Sequence, residues 1–249
     1  QRYFVKINER AELPIFETEI ESLNQLDQSD HIFVPSPLHV GTTKDHAFLV
    51  LNFLPTKPMD KQTSFELGVS LANHHLWGDQ VEYGFDCDNY LGNVLQVNTW
   101  HRKWACFFAE QRIGWQLQLL HEKGMEFGDI KTLVKNTKHL LHNHQPKPAL
   151  LHGDFWHGNI ALSVKGPISY DPASYWGDPE CDLAMAELFG GFQDSFFDGY
   201  QSITPISSGF ETRQHLYNLY YILNHCIMFG GEYMFHAQQL IEKLNLSKK

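Results

Sequence analysis

Cations are scarce in this 249-residue chain: 19 Lys and Arg stand against 29 Asp and Glu, a net charge of −10 with His neutral. That balance excludes a broad nucleic-acid face, because neutralising phosphates takes clustered cations. The four cysteines (Cys87, Cys106, Cys181 and Cys226) stand singly, with no Cys-x-x-Cys pair. Neither a zinc knuckle nor a redox motif is signalled, and reduced thiols point to the cytoplasm. No apolar run nears the ~18 residues that span a bilayer; the densest is Ala47–Leu51. No membrane partner, secretory segment, repeat or low-complexity tract is expected. An acidic chain of this kind must bind an anion locally, with one or two placed cations or a metal ion.

What is present is a core. Hydrophobic residues make up 43% and aromatics 14% of the chain, and folding at this length buries roughly three quarters of the unfolded surface without staples. Tyr3–Ile7 reads as a strand, and Pro14 opens a helix carrying Phe16, Ile20, Leu23 and Leu26. Ala47–Leu51 reads as a fully buried strand, and Asn52–Pro58 as a hinge. Thr63-Ser64-Phe65-Glu66 has the form of a capping box, and 78–98 reads as irregular. Trp100–His121, Ile130–His144, Cys181–Leu188, Glu211–Phe229 and His236–Leu246 read as helices. Ile160–Val164 and Pro167–Tyr170 form a hairpin turning at Gly166. The first residue is Gln1, directly in a strand-like run, so residues upstream are expected. His139, His142 and His144 read as a solvated helix end rather than a metal set, for want of a completing ligand.

The informative stretch is His152-Gly153-Asp154-Phe155-Trp156-His157-Gly158-Asn159. An acid lies five residues before an Asn, and the hairpin that follows returns the chain to Asp171. Asn159 and Asp171 can thus converge as hard oxygen ligands, a donor set that suits Mg²⁺. The spacing is that of a kinase catalytic loop followed by a metal-binding Asp. Kinase-like folds also need a cation on the nucleotide phosphates, held by a helix carboxylate. Lys6 and Glu19 fit in order, with Glu17 and Glu21 competing for the second role. Asp182, near a helix start, is either a cap or a buried acceptor for the loop backbone.

With these residues in hand, the chain resembles the fructosamine kinase (ketosamine-3-kinase) family, related to aminoglycoside phosphotransferases and choline kinases. Phe4-Val5-Lys6-Ile7-Asn8, Phe16-x-x-Glu19, and Asp88-Asn89-Tyr90-x-Gly92-x-x-x-Gln96-x-Asn98 with Trp100 and Trp104 carry the first half. Leu151–Asn159, Tyr170-Asp171-Pro172-Ala173, Phe189-Gly190-Gly191-Phe192, Leu223-Asn224-His225 and Phe229-Gly230 carry the second. Phe155 departs from the family's Leu, and His157 stands where a small residue is usual. The Gly-rich segment that covers the phosphates is absent ahead of Lys6, as a sequence lacking its upstream residues would show.

The resemblance implies an α+β, bilobal protein-kinase-like fold. A small β-rich N-lobe would span 1–54 and a larger, mainly helical C-lobe 55–249. The activity implied is ATP-dependent phosphorylation of a sugar hydroxyl on a ketosamine, free or protein-bound, as in deglycation repair. Asp154 would orient the hydroxyl; Asn159 and Asp171 would hold Mg²⁺; Lys6 and Glu19 would serve the phosphates. Asn52, Phe53 and Leu54 would take the adenine. Trp156 and His157 would face the substrate, with Trp156 either stacking on the sugar or lying in the core. The alternatives are an aminoglycoside, choline or homoserine kinase, and a non-catalytic nucleotide-binding protein of the same fold.

Overall fold

The computed structural model describes residues 2–248. Strands β1 (Tyr3–Glu9), β2 (Pro37–Thr42) and β3 (His46–Asn52) form an antiparallel sheet in the order β1-β3-β2. Helix α1 (Leu13–Asp27) packs on it. Pro14 sits in its first turn, where a missing N–H costs nothing, and Phe16, Glu19, Leu23 and Leu26 bury one stripe. Ala47, Leu49 and Leu51 on β3 are buried while Phe48 and Val50 are only half so. The expectation of a fully buried strand is corrected: a sheet covered by a helix on one face needs one apolar face.

Beyond β4 (Thr56–Lys57) the chain becomes mainly helical. Helix α2 (Lys61–Leu76) is capped by Asp60, whose carboxylate accepts from the Thr63 N–H at 2.9 Å, while the Thr63 hydroxyl accepts from the Asp60 N–H. Thr63 therefore closes the capping box, three residues after the Asp60 cap, and does not start it. The 78–98 segment, expected to be irregular, contains the hairpin of β5 (Asn89–Leu91) and β6 (Val94–Gln96). Helix α3 (Trp104–Phe107), a π-helical stretch (Phe108–Gly114) and α4 (Trp115–Glu122) run on from one another. Helix α5 (Ile130–Leu140) ends four residues short of expectation.

Strand β7 (Ala149–Leu151) leads into the loop that bears Asp154, and β8 (Ile160–Ser163) and β9 (Gly166–Ser169) form the hairpin after it. Gly166 pairs with Ser163, so the turn is Val164–Lys165. Strand β4 extends this hairpin through β8, and the Ser169 N–H reaches the Phe33 carbonyl at 2.9 Å. The hairpin is thereby tied to the N-terminal part. Strand β10 (Tyr175–Gly177) returns to pair with β7. Helices α6 (Glu180–Leu188), α7 (Asp194–Gln201), α8 (Phe210–Phe229) and α9 (Glu232–Lys243) complete the chain. Sequence reading missed α7 and started α9 four residues late. Helices α2 and α7 touch backbone to backbone: a Cβ on Gly68 would lie 2.0 Å from the Phe196 carbonyl oxygen, and one on Gly199 2.1 Å from that of Phe65.

His144 lies in the turn after α5 and meets Asp178 at 2.6 Å, with Glu180 beyond. Glu180 is held by Arg213 and Asp178 by Tyr217, so the acids are already partnered by protein. No helix of the described residues is long and apolar enough to cross a membrane.

His74 on α2 is buried against Ser29, Nδ1 to Oγ 2.6 Å, and burial lowers its pKa to about 3. The unfolded chain titrates this group near ~6.5, so between those values the unfolded state binds the extra proton. Stability then falls as pH falls, by up to ~1.4 kcal/mol per pH unit. Urea midpoints measured from pH 7 to pH 4 should show a shallower acid slope for His74→Gln than for the parent. Identical slopes would show that His74 does not carry the effect.

Candidate active site

The 152–159 loop is hung from a buried carboxylate. Asp182, in the first turn of α6, accepts the His152 N–H at 2.8 Å on one oxygen and the Gly153 N–H at 2.9 Å on the other. His75 Nε2 completes the set at 3.2 Å, and its Nδ1 meets the Tyr200 hydroxyl at 2.9 Å. Burial pushes the Asp182 carboxyl up, but the His75 hydrogen bond and charge, the nearby His152 and the Gly153 N–H outweigh it and hold the group low. Of the two sequence readings of Asp182, loop acceptor is the one observed. Gly153 has φ +84°, and a Cβ there would lie 2.0 Å from the Ala173 carbonyl oxygen. Only glycine lets the loop lie this close to the 171–174 segment.

From this anchor Asp154 points into a cleft. Asn159 Nδ2 donates to the Asp154 side chain at 2.8 Å and to its carbonyl at 3.0 Å. The Asn159 carboxamide oxygen is the atom left for another ligand. Burial raises the Asp154 pKa to about 7, against the lowering hydrogen bond from Asn159. Across the cleft, Lys6 Nζ lies 2.7 Å from both Glu19 oxygens and 2.6 Å from Asp171 Oδ1. Burial would lower the Lys6 pKa, but the two carboxylates win and raise it. Glu19 is raised by its own burial, with Lys6 pulling the other way. Glu17 and Glu21 are not Lys6's partners in this geometry; Glu19 is. Asp171 adopts φ +57°, a left-handed conformation uncommon outside glycine that clusters at functional sites.

The 171–174 segment is braced from behind by the Asn89–Asn98 stretch. Asn89 Nδ2 donates to the Ser174 carbonyl at 2.8 Å, and Gln96 Nε2 to the Ala173 carbonyl at 3.1 Å and to Asn89 Oδ1 at 2.7 Å. Arg112, fully buried with no carboxylate partner among the described residues, donates to the Val97 carbonyl and Asn98 Oδ1 at 2.5 and 2.7 Å. Its guanidinium lies 4.0 Å from the Tyr175 ring centroid. It projects from the π-helical stretch, a local widening common at functional sites.

Three cavities run in series along the cleft. The first, about 650 Å³, is lined by Asn52, Phe53, Leu54, Ile168 and Asp171. The second, about 560 Å³, shares Phe4 and Asp171 with it and holds Lys6, Glu19, Asp154 and Asn159. The third, about 490 Å³, shares Asp154 and Trp156 with the second and is walled by Phe189, His225, Phe229 and Tyr233. Trp156 therefore borders two cavities, half-buried and edge-on to Phe189 at 6.0 Å, and the exposed His157 borders the third. Phe155 points away and stacks on Phe192 and Phe196. Sequence reading did not nominate the third wall as a site. Its signal was the spacing of Tyr221, His225 and Phe229, four residues apart on one stripe of α8.

The family model described as fructosamine kinase matches residues 1–248. A Vibrio parahaemolyticus protein assigned as a ketoamine kinase is 58% identical over 245 residues, 98% of this chain and 85% of that one. The chain belongs to the fructosamine kinase family. It is a ketosamine kinase, a transferase whose acceptor is an alcohol. A solved Haemophilus somnus structure assigned as a fructosamine-3-kinase is 36% identical with TM-score 0.93, over 98% of this chain and 84% of that one. An ADP-bound aminoglycoside phosphotransferase shares 14% identity with TM-score 0.60, over 98% and 86%. That likeness is one of fold: the bilobal kinase-like α+β architecture expected from the sequence.

Asp182→Asn places an amide donor against one loop N–H and leaves it unsatisfied. A loss of ~2–4 kcal/mol is expected, the range for breaking a buried charged acceptor network. Equilibrium unfolding checks it, and an Asn variant within ~0.5 kcal/mol of the parent would show that the loop does not hang from this group.

Proposed function

We propose that the kinase reaction runs through the three cavities in order, with nucleotide in the first, phosphoryl transfer in the second and ketosamine in the third. The observation that carries this reading is the meeting of Lys6, Glu19, Asp154, Asn159 and Asp171 around one cavity that opens to both others. Adenine of ATP lies against Phe53 and Leu54. The N–H and side-chain oxygen of Asn52 are engaged by Ser36 at 3.1 and 2.8 Å, so Asn52 contributes its position rather than that N–H. Lys6, held by Glu19, grips the phosphates. The N-lobe ends after Leu54, at the hinge.

Lys6 meets Glu19 and Asp171, Asp154 lines the same cavity, and with all three carboxylates ionised the set is two charges too negative. That imbalance and the spare Asn159 oxygen fit a hard divalent cation. Asn159 and Asp171 would hold Mg²⁺, which neutralises charge on the transferring phosphoryl group. Asp154 orients the attacking hydroxyl, and its raised pKa equips it to take the proton as transfer completes. Trp156 and His157 border the sugar. The acceptor is a ketosamine, free or on a protein, and the reaction suits deglycation repair. All four cysteines are unpaired, in keeping with a cytoplasmic setting.

ADP release should require Mg²⁺-ATP and a ribulosamine or fructosamine. Asp154→Asn should cut kcat at least ~100-fold, the usual scale for a removed acid–base group. Lys6→Met should raise KM for ATP. Turnover confined to aminoglycosides would overturn the acceptor assignment, and an unaltered Asp154→Asn rate would overturn the role of Asp154.

A further inference from the structure

The third cavity changes character along its length. At one end stands Asp154, and at the other a cluster of rings. Phe189 lies 4.8 Å from His225, centroid to centroid; His225 lies 5.5 Å from Phe229 and 5.0 Å from Tyr233. Phe229 and Tyr233 close the group at 6.1 Å. Among the described residues that line this cavity there is no Lys or Arg, and Asp154 is the one carboxylate.

Two of the polar side chains on this wall are already engaged, while the buried Tyr221 hydroxyl has no hydrogen-bond partner among the described residues. Asn224 Nδ2 donates to the Leu91 carbonyl at 3.3 Å, and its oxygen accepts from Gln116. His225 Nδ1 meets the Tyr221 carbonyl at 2.8 Å, which accepts only from an N–H. In the neutral ring that bond leaves Nε2 as a lone pair. Burial lowers the His225 pKa, so the ring stays neutral at physiological pH.

We propose that this ring cluster is the subsite for the amine substituent of the acceptor, and that it selects ketosamines whose substituent is aromatic or alkyl and carries no carboxylate beside the amine. The inference rests on the ketosamine reading above. The substrate's orientation follows from solvation: the hydroxyl-rich sugar belongs at Asp154, and the part poorest in hydroxyls belongs against rings. A cavity of about 490 Å³ lies in the range that holds a ligand larger than a sugar alone. The ketosamine nitrogen is a secondary ammonium, which the ring faces attract. A carboxylate one carbon away would face the ring wall with no Lys or Arg of the described lining to pair with it.

The test compares adducts of one sugar with benzylamine, with the ε-amine of Nα-acetyl-lysine amide, and with glycine, using full-length protein. The first two should exceed the glycine adduct in kcat/KM at least tenfold. Phe229 is 64% exposed, so changing it spares the core. Phe229→Ala should shrink the ratio at least threefold through KM, and Phe229→Lys should raise kcat/KM for the glycine adduct above the parent's. Equal use of all three adducts by the parent, or a ratio unmoved by Phe229→Lys, overturns the subsite while leaving the ketosamine assignment intact. Turnover of none of the three by the parent overturns both.

Discussion

Two N–H groups on one carboxylate set the geometry of this enzyme. Asp182 receives the His152 and Gly153 backbone, and everything catalytic is placed relative to that point. The loop N–H groups are buried, so without an acceptor each would carry its full desolvation cost. Asp182 is buried too, and it stays ionised because His75 and the two amides solvate it as water would. The anchor therefore works only as a unit, and α2, which supplies His75, belongs to the site although none of its residues lines the cavity that holds Lys6 and Asp154.

From that anchor the positions propagate by contact. Gly153 lies against Ala173, which fixes how far the Asp154 loop stands from Asp171. The 171–174 segment is in turn held by Asn89 and Gln96, and these by Asn98 and the buried Arg112. A buried cation without a carboxylate partner is costly, but carbonyls and ring faces supply its solvation. The Asn89–Asn98 stretch is thus a brace behind the 171–174 segment. Its polar residues serve position rather than chemistry.

Much of the site was legible in the sequence because it is local. Asp154 and Asn159 lie within one loop, and a hairpin must bring Asp171 back beside them. Lys6 and a helix acid were legible from their order ahead of the loop, but the choice of Glu19 over Glu17 and Glu21 rested on resemblance; burial of its face of α1 is what distinguishes it. Helix α7 was missed because its two consecutive phenylalanines and central Gly199 look unlike a helix. The glycine is there for the 2.1 Å approach to α2, a tertiary demand that propensity cannot show. The ring wall was missed for a related reason. Phe189, His225, Phe229 and Tyr233 come from three separate elements and converge only after α6, α8 and α9 pack.

The cleft then has a charge profile with a chemical consequence. Both end cavities have substantially apolar walls, and the carboxylates gather at the middle around the single Lys6 ammonium. In the absence of ligands Lys6 bridges Glu19 and Asp171, so the site neutralises part of its own surplus. An incoming triphosphate alone would add negative charge to that middle, whereas one carrying a divalent cation brings compensation with it. On the proposed reading, Lys6 would turn from Asp171 to the phosphates and Asp171 would be free to hold the cation. The Glu19 contact would keep the ammonium within reach during such an exchange, a gain set against the desolvation cost of a buried helix carboxylate.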